Sequence, residues 1–383
     1  MHKELQRTHD ASSLAQELEN LLNDPSFNPE LLDLYGWLTF LWPIQLSLAK
    51  IGHDTGLFDI LTDLEGRSIT HIELARRTQV NPSLMSRLLR YYQSFDMISQ
   101  PDDDEFTANN VTRALVKPGG KSGVEWNFTA VNPTLTALPQ FLRENPSTDL
   151  SDISSIPWYM AHDTPDPVFK WINERPDVLA SFAGWMVGQR DGLPSFLDVL
   201  DFEEEFAQGV SDDDTVFVDI GGSMGHQCVA LRKKCPKLMG KVVLQDLPET
   251  IEKVKREPLD GFVDIETRAY DFFTPQLLKG ARTYYLRNVL HDWPDSKCVE
   301  ILRNIIPAME SSSHILIDEM ILPSRGAPWR ATQQDLIMAT VVAAKERSRE
   351  EWLDLFDRAG LEVKSVWRYT EELSDCLIVL VPK

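Results

Sequence analysis

Between residues 215 and 317, short apolar runs alternate with segments of helical spacing. Four runs, Val216–Asp219, Lys241–Leu244, Tyr284–Leu286 and His314–Ile317, are nearly continuous in apolar character, as are parallel strands that helices cover on both faces. Between the last two runs, the spacing i, i+3, i+4, i+7, i+8 predicts an amphipathic helix. The alternation predicts an α/β fold with an open, doubly wound sheet that binds its ligand at the carboxyl ends of the strands. The helical stripe consists of Cys298, Ile301, Leu302, Ile305 and Ile306.

The first 115 residues or so have a mainly helical pattern. Within them, Ile69–Ile98 has the spacing of a helix-turn-helix, in which Asn81 caps the second helix and Pro82 occupies its first position. The following segment, Met97–Thr107, contains an acidic turn between two short polar and apolar stretches, a pattern typical of a hairpin. Together these features predict a winged helix.

A chain of 383 residues is longer than one hydrophobic core usually organises, so two domains are expected. Between Thr129 and Val168 the chain is rich in Pro, Thr and Ser, which predicts the connection between them. We place the boundary at residue 150, which gives a helical domain over 1–150 and an α/β domain over 151–383.

Charge and cysteine usage limit the partners and the compartment. The formal net charge of −21 would repel a phosphate backbone, so nucleic acid is a poor partner. The N-terminus lacks the pattern of a secretory signal, and the apolar stretch Trp37–Ala49, about 13 residues long, is too short to span a membrane and is expected to form a buried helix. The four cysteines lack C-x-x-C spacing, which favours reduced thiols in the cytoplasm over disulfides or zinc.

The first apolar run leads into a glycine-rich loop, Asp219–Gly225, with the sequence DIGGSMG. Three glycines in five positions allow a sharp turn and a close approach of the backbone to a ligand. The spacing is neither that of a dinucleotide site nor that of a P-loop. Asp246 follows at the end of the next strand, where a carboxylate accepts hydrogen bonds from both ribose hydroxyls of an adenosine. A ribose site without a pyrophosphate site points to S-adenosylmethionine.

A third strand end supplies two more candidates. Asp271 and Phe272 follow the predicted strand Val263–Ala269, so they are placed at the same edge of the sheet. There Asp271 is a candidate acceptor for the adenine amino group, and Phe272 a candidate to stack on the ring. A plain strand-end turn explains the same two residues equally well.

Five segments of the chain, taken in order, resemble the plant and fungal O-methyltransferases of the caffeate and flavonoid type. The resemblance covers nearly the whole chain, and the sequence around Leu247 and Arg287 is most similar to that of fungal members. Two departures are Ser223, at a site that is often glycine, and Ala343-Ala344, where plant members have a glycine pair. The five segments are Val218–Gly222, Val243–Pro248, Asp271–Phe273, Leu286–Trp293 and Lys345–Arg347.

The resemblance implies a Rossmann-like methyltransferase sheet that binds S-adenosylmethionine and uses no metal. It also implies that the N-terminal winged-helix domain forms a homodimer by swapping N-terminal helices and acts as a lid over a small substrate. The residues that it implies for cofactor binding are Gly221, Asp246, Leu247, Asp271, Phe272 and Arg287.

His291 is the predicted catalytic base. A phenol with a pKa of about 10 is a poor nucleophile at neutral pH, and a histidine with a pKa of about 6.5 can accept its proton as attack begins. By the resemblance, Glu319 and Glu346 flank the imidazole, although Asp318 beside Glu319 is a competing candidate. A lone His-Asp-Trp is more often structural, and here the order of motifs favours the base. A zinc role is disfavoured because His291 lacks a second histidine at H-x-x-x-H spacing.

The predicted function is methylation of a phenolic or enolic hydroxyl on a small phenolic or polyketide-like secondary metabolite. One alternative on the same fold is a pericyclase or dehydratase that holds the cofactor and transfers no methyl group; the presence of His291, Glu319 and Glu346 favours methylation. A DNA-binding metabolite sensor is a second alternative. It is disfavoured because the second helix of the helix-turn-helix, Ser83–Ser94, has only two basic residues and the wing is acidic.

Overall fold

The computed structural model describes residues 43–190 and 192–383. Contacts between Cα atoms divide the chain into two compact units. The first contains the described residues up to Pro133 together with the segment from Phe169 to residue 190; the second contains Thr134–Val168 and Gly192–Lys383. The chain therefore passes between the units three times, whereas the sequence predicted one boundary at residue 150. The roles assigned to the two domains stay predictions.

The first unit contains the predicted winged helix. Asn81 accepts a hydrogen bond from the backbone N–H of Ser83 at 2.9 Å, and Pro82 is the first helical residue. The hairpin is formed by the antiparallel strands β1 (Ser99–Asp102) and β2 (Glu105–Thr107). The helices up to Pro133 are α1 (Leu57–Asp63), α2 (His71–Thr78), α3 (Pro82–Ser94), α4 (Asn110–Val116) and α5 (Pro118–Trp126), which a π-helix (Asn127–Val131) follows.

Glycine contacts explain why a later segment belongs to the first unit. Helix α9 (Pro176–Gly188) packs on α5, and a Cβ added at Gly119 would lie 2.8 Å from the Cα of Gly188. One turn along, a Cβ at Gly123 would lie 2.6 Å from the Trp185 ring. Only glycine allows helices to approach this closely. This contact joins residues far apart in the sequence, so the Pro-rich composition around residue 150 could not reveal it.

The described part of the chain begins in a helical segment over 43–54, in which Ala49 is buried. It includes the end of the stretch Trp37–Ala49, for which a buried helix was predicted; residues 37–42 lie outside the described residues. Among the described residues, no helix combines the length and the apolar character needed to cross a membrane.

The second unit is built on one mixed sheet with the strand order β5-β4-β3-β6-β7-β10-β9, and β8 pairs with β7 at its end. Strands β3 to β7 run parallel to one another, and β10 is antiparallel to both β7 and β9. All four predicted apolar runs are confirmed as strands. The strands are β3 (Thr215–Ile220), β4 (Lys241–Asp246), β5 (Ile265–Ala269), β6 (Thr283–Arg287), β7 (His314–Leu322), β8 (Arg347–Ser348), β9 (Leu361–Arg368) and β10 (Asp375–Pro382).

Helices cover both faces of this sheet, as predicted. One core contains Val218, Ile317 and Trp352, and the other contains Phe217, Tyr285 and Leu316. Neighbouring strand residues thus belong to different cores, because side chains alternate between the faces of a sheet. The predicted stripe lies on α13 (Asp295–Ile305), with its last residue, Ile306, in the following 3₁₀ turn.

The other α-helices among residues 57–190 and 192–383 are α6 (Asn132–Glu144), α7 (Pro157–His162), α8 (Val168–Asn173), α10 (Phe202–Phe206), α11 (His226–Lys234), α12 (Pro248–Arg256), α14 (Trp329–Val342) and α15 (Arg349–Ala359). The strand order reverses at β3, which lies between β4 and β6. The loops after these strands therefore meet at one edge of the sheet, where open α/β sheets bind their ligands.

Candidate functional site

The glycine loop after β3 has a backbone that requires glycine at several points. Gly221 has φ +71° and donates its N–H to the carbonyl of Gln245 at 2.8 Å. Gly222 has no room for a side chain, since a Cβ there would lie 2.4 Å from Cγ of the buried Asp219. Gly225, with φ +83°, leads into α11. The loop thus presents bare backbone at the carboxyl end of β3.

Both departures from the glycine pattern lie in left-handed backbone. Ser223 has φ +52°, and Ala343, at the end of α14, has φ +56°. A side chain in this conformation costs roughly 1–2 kcal/mol relative to glycine. The side chains of Ser223 and Ala343 are therefore strained at these positions, and neither departure removes a proton-transfer group.

Asp246 at the end of β4 is tied to the glycine loop. Its Oδ2 accepts a hydrogen bond from the backbone N–H of Ser223, and its Oδ1 accepts one from Leu247, both at 2.8 Å. Each carboxylate oxygen has a further lone pair, so the side chain can still accept bonds from a diol. Leu247 is 44% exposed next to it, which leaves an apolar surface beside the carboxylate.

Phe272 lies beside the same loop. A Cβ on Gly221 would be 3.6 Å from the Phe272 ring, and that ring makes edge contacts with Phe273 and Trp293. Asp271 is exposed and accepts the backbone N–H of Phe273 at 2.9 Å. Three strand ends therefore bring a bare backbone, a carboxylate and an aromatic ring together. This donor and acceptor set fits an adenosine group that carries no phosphates.

Arg287 ends β6, and its Nε lies 3.8 Å from Oδ2 of Asp318 on β7. The hydroxyls of Tyr285 and Tyr369 both donate to this carboxylate. Burial opposes the charge of Arg287, but the surrounding acidic groups, Asp318 first among them, together outweigh it and raise the arginine pKa above its ordinary value. Arg287 is thus a fixed cation near the glycine loop. The competing assignment of Asp318 to the histidine is not supported, because alternation along β7 turns its side chain away from Glu319.

His291 lies in a 3₁₀ turn (Leu290–Asp292) that follows β6 and is only 8% exposed. Its Nδ1 is 2.9 Å from Oε1 of the buried Glu346 and 3.9 Å from Oε2 of Glu319. The three predicted catalytic side chains are therefore brought together in the structure. On the other side of the ring, Nε2 lies 3.6 Å from Oδ1 of Asp292.

Glu319 holds the backbone of the histidine turn. Its Oε1 accepts N–H groups from Val289 and Leu290 at 2.9 Å and from His291 at 3.4 Å. Its Oε2, like Oε2 of Glu346, is buried and has no hydrogen-bond partner in the described part of the chain. Buried acceptors without donors are rare in proteins and call for an explanation. Here they leave an excess of negative charge around one imidazole.

This excess of carboxylates changes the acid–base behaviour of the site. Burial by itself lowers the pKa of His291, but the charges of Glu346, Glu319 and Asp292 outweigh it and raise the pKa to about 10. Burial raises the pKa of Glu319 to about 7, against the opposing charge of His291. In the ligand-free protein the imidazole is therefore held as a cation at neutral pH, which the ordinary histidine pKa assumed from the sequence did not anticipate.

Two functional candidates were missed by sequence reasoning. Asp292 borders Nε2, and its place directly after His291 was the available signal. Arg347 is completely buried and donates to the backbone carbonyls of Leu290 and Trp293 at 2.9 and 2.8 Å. Its signal was a position directly after Glu346, in the same motif.

Comparison with known proteins identifies the family. A family model described as an O-methyltransferase domain matches residues 207–362. The chain is 37% identical over 328 residues to the O-methyltransferase lepI of Aspergillus flavus, which covers 85% of this chain and 83% of the relative. It is 36% identical over 341 residues to the demethylsterigmatocystin 6-O-methyltransferase of Aspergillus parasiticus, covering 89% and 86%.

A solved structure of LepI in complex with S-adenosylmethionine superposes with a TM-score of 0.86 at 34% identity, over 97% of this chain and 92% of that one. Another, described as a pericyclic reaction enzyme, has a TM-score of 0.83 at 32% identity, over 97% and 99%. The site agrees with these matches, since its glycine loop fits adenosine and its histidine is buried. Matches of this extent show that the chain belongs to the S-adenosylmethionine-dependent O-methyltransferases.

Proposed function

We propose that this enzyme methylates a phenolic or enolic hydroxyl of a small, phenolic or polyketide-like secondary metabolite, with His291 as the general base. The observation that carries the proposal is the buried imidazole, held through Nδ1 by Glu346 at 2.9 Å. The demethylsterigmatocystin 6-O-methyltransferase, named for methylation of one oxygen of a small molecule, supports transfer to a hydroxyl group.

The contact with Glu346 selects the tautomer. A carboxylate accepts the proton on Nδ1, so neutral His291 has its lone pair on Nε2. Nε2 then accepts the proton of a substrate hydroxyl, and Glu346 and Glu319 stabilise the imidazolium that forms. S-adenosylmethionine supplies a methyl group that is already activated by a positively charged sulfur. The protein's remaining task is to hold the substrate oxygen in line for attack.

The raised pKa of His291 fits a phenolic substrate. A phenol has a pKa of about 10, and the three carboxylates raise the pKa of His291 to about 10. Proton transfer between groups of matched pKa is close to balanced in energy. Gly221, Asp246, Leu247, Asp271, Phe272 and Arg287 are the residues proposed to hold the cofactor.

A second candidate function is dehydration or pericyclic ring formation with the cofactor bound and no methyl transfer. Two observations favour it. The imidazole of His291 is cationic at neutral pH, which suits a proton donor, and a solved structure of high similarity is described as a pericyclic reaction enzyme. In this candidate His291 donates a proton from Nε2 where the base would accept one.

Assembly, metal and compartment complete the proposal. The first unit is proposed to dimerise and to close over the substrate; in support, none of the residues of α9 is buried within the described chain, and Met186 and Val187 are 40% and 55% exposed. The swap was predicted for the N-terminal helices, without bounds, and residues 1–42 lie outside the described residues. The carboxylates serve the histidine, so no metal is required. The protein is proposed to be cytoplasmic, and its four buried, free cysteines support a reducing compartment of this kind.

The decisive experiment uses a labelled methyl donor with a panel of phenols and enols. We expect label in the product from the wild type, and a loss on the order of 10²–10⁴-fold in kcat from His291→Ala with unchanged cofactor affinity. Turnover of a panel compound without incorporation of label would establish the second candidate. Nearly full activity of His291→Ala would remove His291 as the base.

A further inference from the structure

Arg347 contacts the segment that carries His291 at several points. Its Nη1 donates to the carbonyl of Leu290 at 2.9 Å, and its Nη2 donates to the carbonyl of Trp293 at 2.8 Å. The guanidinium also binds Oδ1 of Asp295 through Nε and Nη2, at 2.9 and 2.8 Å. All of these contacts are made by a side chain with no exposed surface. The arginine thus spans the turn from one side of His291 to the other.

Glu319 binds the backbone N–H donors of the same turn. Its Oε1 accepts the N–H groups of Val289, Leu290 and His291. The N–H groups at the start of the turn therefore point to a carboxylate, and the carbonyls around it point to a guanidinium. A short 3₁₀ turn has few internal hydrogen bonds to fix it. Charged hydrogen-bond partners for it come from these two buried side chains, and the Cys298 thiol adds weaker bonds to the Leu290 and Trp293 carbonyls, at 3.1 and 3.3 Å.

The neighbour of Arg347 in the chain completes the arrangement. Glu346 contacts the imidazole of His291, while Arg347 contacts the backbone that carries this imidazole. Arg347 pairs with Ile321 in the short strand β8, and its guanidinium lies 5.0 Å from the centre of the Trp352 ring. Trp352 in turn donates its indole N–H to the carbonyl of Met320 at 2.9 Å. The segment Glu346-Arg347, which pairs with β7, therefore contacts both the imidazole ring of His291 and the backbone that carries this ring.

We propose that Arg347 is the positioning residue for His291, acting through the backbone of the turn to keep Nδ1 within hydrogen-bond distance of Glu346. This inference rests on the proposed role of His291. Displacement of a catalytic group by about 1 Å costs up to about 10²-fold in rate. A lysine at this site has one compact ammonium and cannot donate to two carbonyls and a carboxylate with the geometry of a guanidinium.

The test compares Arg347→Lys with Arg358→Lys. Arg358 is a matched control: its Nη1 lies 3.9 Å from the same carboxylate, that of Asp295, but its side chain is 44% exposed. One readout is independent of turnover, namely the NMR titration of His291 in ligand-free protein labelled at histidine ring carbons, assigned with His291→Gln. The other is the kcat for label transfer.

For Arg347→Lys we expect a titration of His291 at lower pH than in the wild type, and a kcat lower by about 10–100-fold with unchanged cofactor affinity. Arg358→Lys should match the wild type in both. If Arg347→Lys does not fold, Asp295→Asn, which removes the anchor of the guanidinium, should shift both quantities in the same direction. A folded variant of Arg347 or Asp295 with wild-type titration and kcat overturns the proposal. Failure of the wild type to transfer label refutes the proposed function instead, and leaves the titration as the test of positioning.

Discussion

Asp318 and Glu319 are neighbours on β7, yet their carboxylates have opposite surroundings. The side chain of Asp318 lies among donors: two tyrosine hydroxyls and the guanidinium of Arg287. Glu319 has donors on one oxygen only: Oε1 accepts three backbone N–H groups, whereas Oε2, like Oε2 of Glu346, has no hydrogen-bond partner among the described residues. Both carboxylates are buried, at 1% and 0% exposure. The alternation of a strand places them on opposite faces of the sheet.

This contrast suggests that the two carboxylates have different tasks, one in stability and cofactor binding and the other in catalysis. The Asp318 carboxylate is surrounded by a guanidinium and two hydroxyl donors, which is how proteins stabilise a buried charge. On the Glu319 face, negative charge exceeds positive charge around His291, and perturbed pKa values result. Such perturbation is concentrated at sites of proton transfer. We therefore expect changes on the Glu319 face to act on catalysis, and changes on the Asp318 face to act on stability and cofactor affinity.

Glu346→Gln should have the largest effect. The amide can donate to Nδ1, which would place the ring proton on Nε2 and block it as an acceptor. We expect kcat to fall by about 10²–10⁴-fold, measured as label transferred per enzyme, with cofactor affinity unchanged by calorimetry. Comparable losses in kcat and in cofactor affinity would contradict the division of tasks.

The pH dependence of kcat/KM should be the next largest effect. The pKa of His291 in the folded protein is raised to about 10, so the imidazole is protonated at neutral pH. If Nε2 acts as the base, kcat/KM should therefore rise about tenfold per pH unit from pH 7 toward a break near 10. In Glu346→Gln this break should move toward pH 6.5. A break that stays in place in the variant would belong to the substrate, and a rate that falls with rising pH would favour the proton-donor candidate.

The same raised pKa has a consequence for stability with a definite sign. Because the pKa of His291 is higher in the folded protein than in the unfolded chain, protonation adds stability below about pH 6.5 that is lost as the pH rises through about 10. Urea unfolding of wild type and His291→Gln across this range should show a difference that narrows with rising pH.

Asp318→Asn should act on the other face. Removing the charge leaves Arg287 without its carboxylate, at a cost of about 3 kcal/mol in the free energy of unfolding. Cofactor affinity should fall because Arg287 is no longer held, while kcat at saturating cofactor changes little. Urea denaturation and calorimetry measure these quantities. A loss of kcat as large as that of Glu346→Gln would show that the two faces are not separate.

Removal of metal should have the smallest effect. The ligand atoms of His291, Glu319 and Glu346 lie within 4.8 Å of one another, an arrangement that could hold a cation. We expect prolonged dialysis against EDTA to leave kcat unchanged, since Glu346 already binds the imidazole and Glu319 already accepts the backbone N–H groups of its turn. A loss of activity that zinc or magnesium restores would instead assign the excess negative charge to a metal.

The sequence by itself predicted the parallel strands β3 to β7 and the order of the loops that follow them, because a parallel sheet covered on both faces requires apolar runs and its ligand loops follow the strand ends. It did not predict β8, β9 or β10. It also named His291, Glu319 and Glu346, through the order of motifs. Those residues lie up to 55 positions apart, and their meeting is a property of strand order.

Only the tertiary structure decided which carboxylate serves which partner. The alternation of β7 assigned Asp318 to Arg287 and Glu319 to the histidine turn, and the return of the chain at β8 supplied Glu346 together with Arg347. The helical contact between Gly119 and Gly188 likewise decided how the chain divides into units. In each case the deciding energy is that of a contact between distant segments, a term that local spacing and composition do not contain.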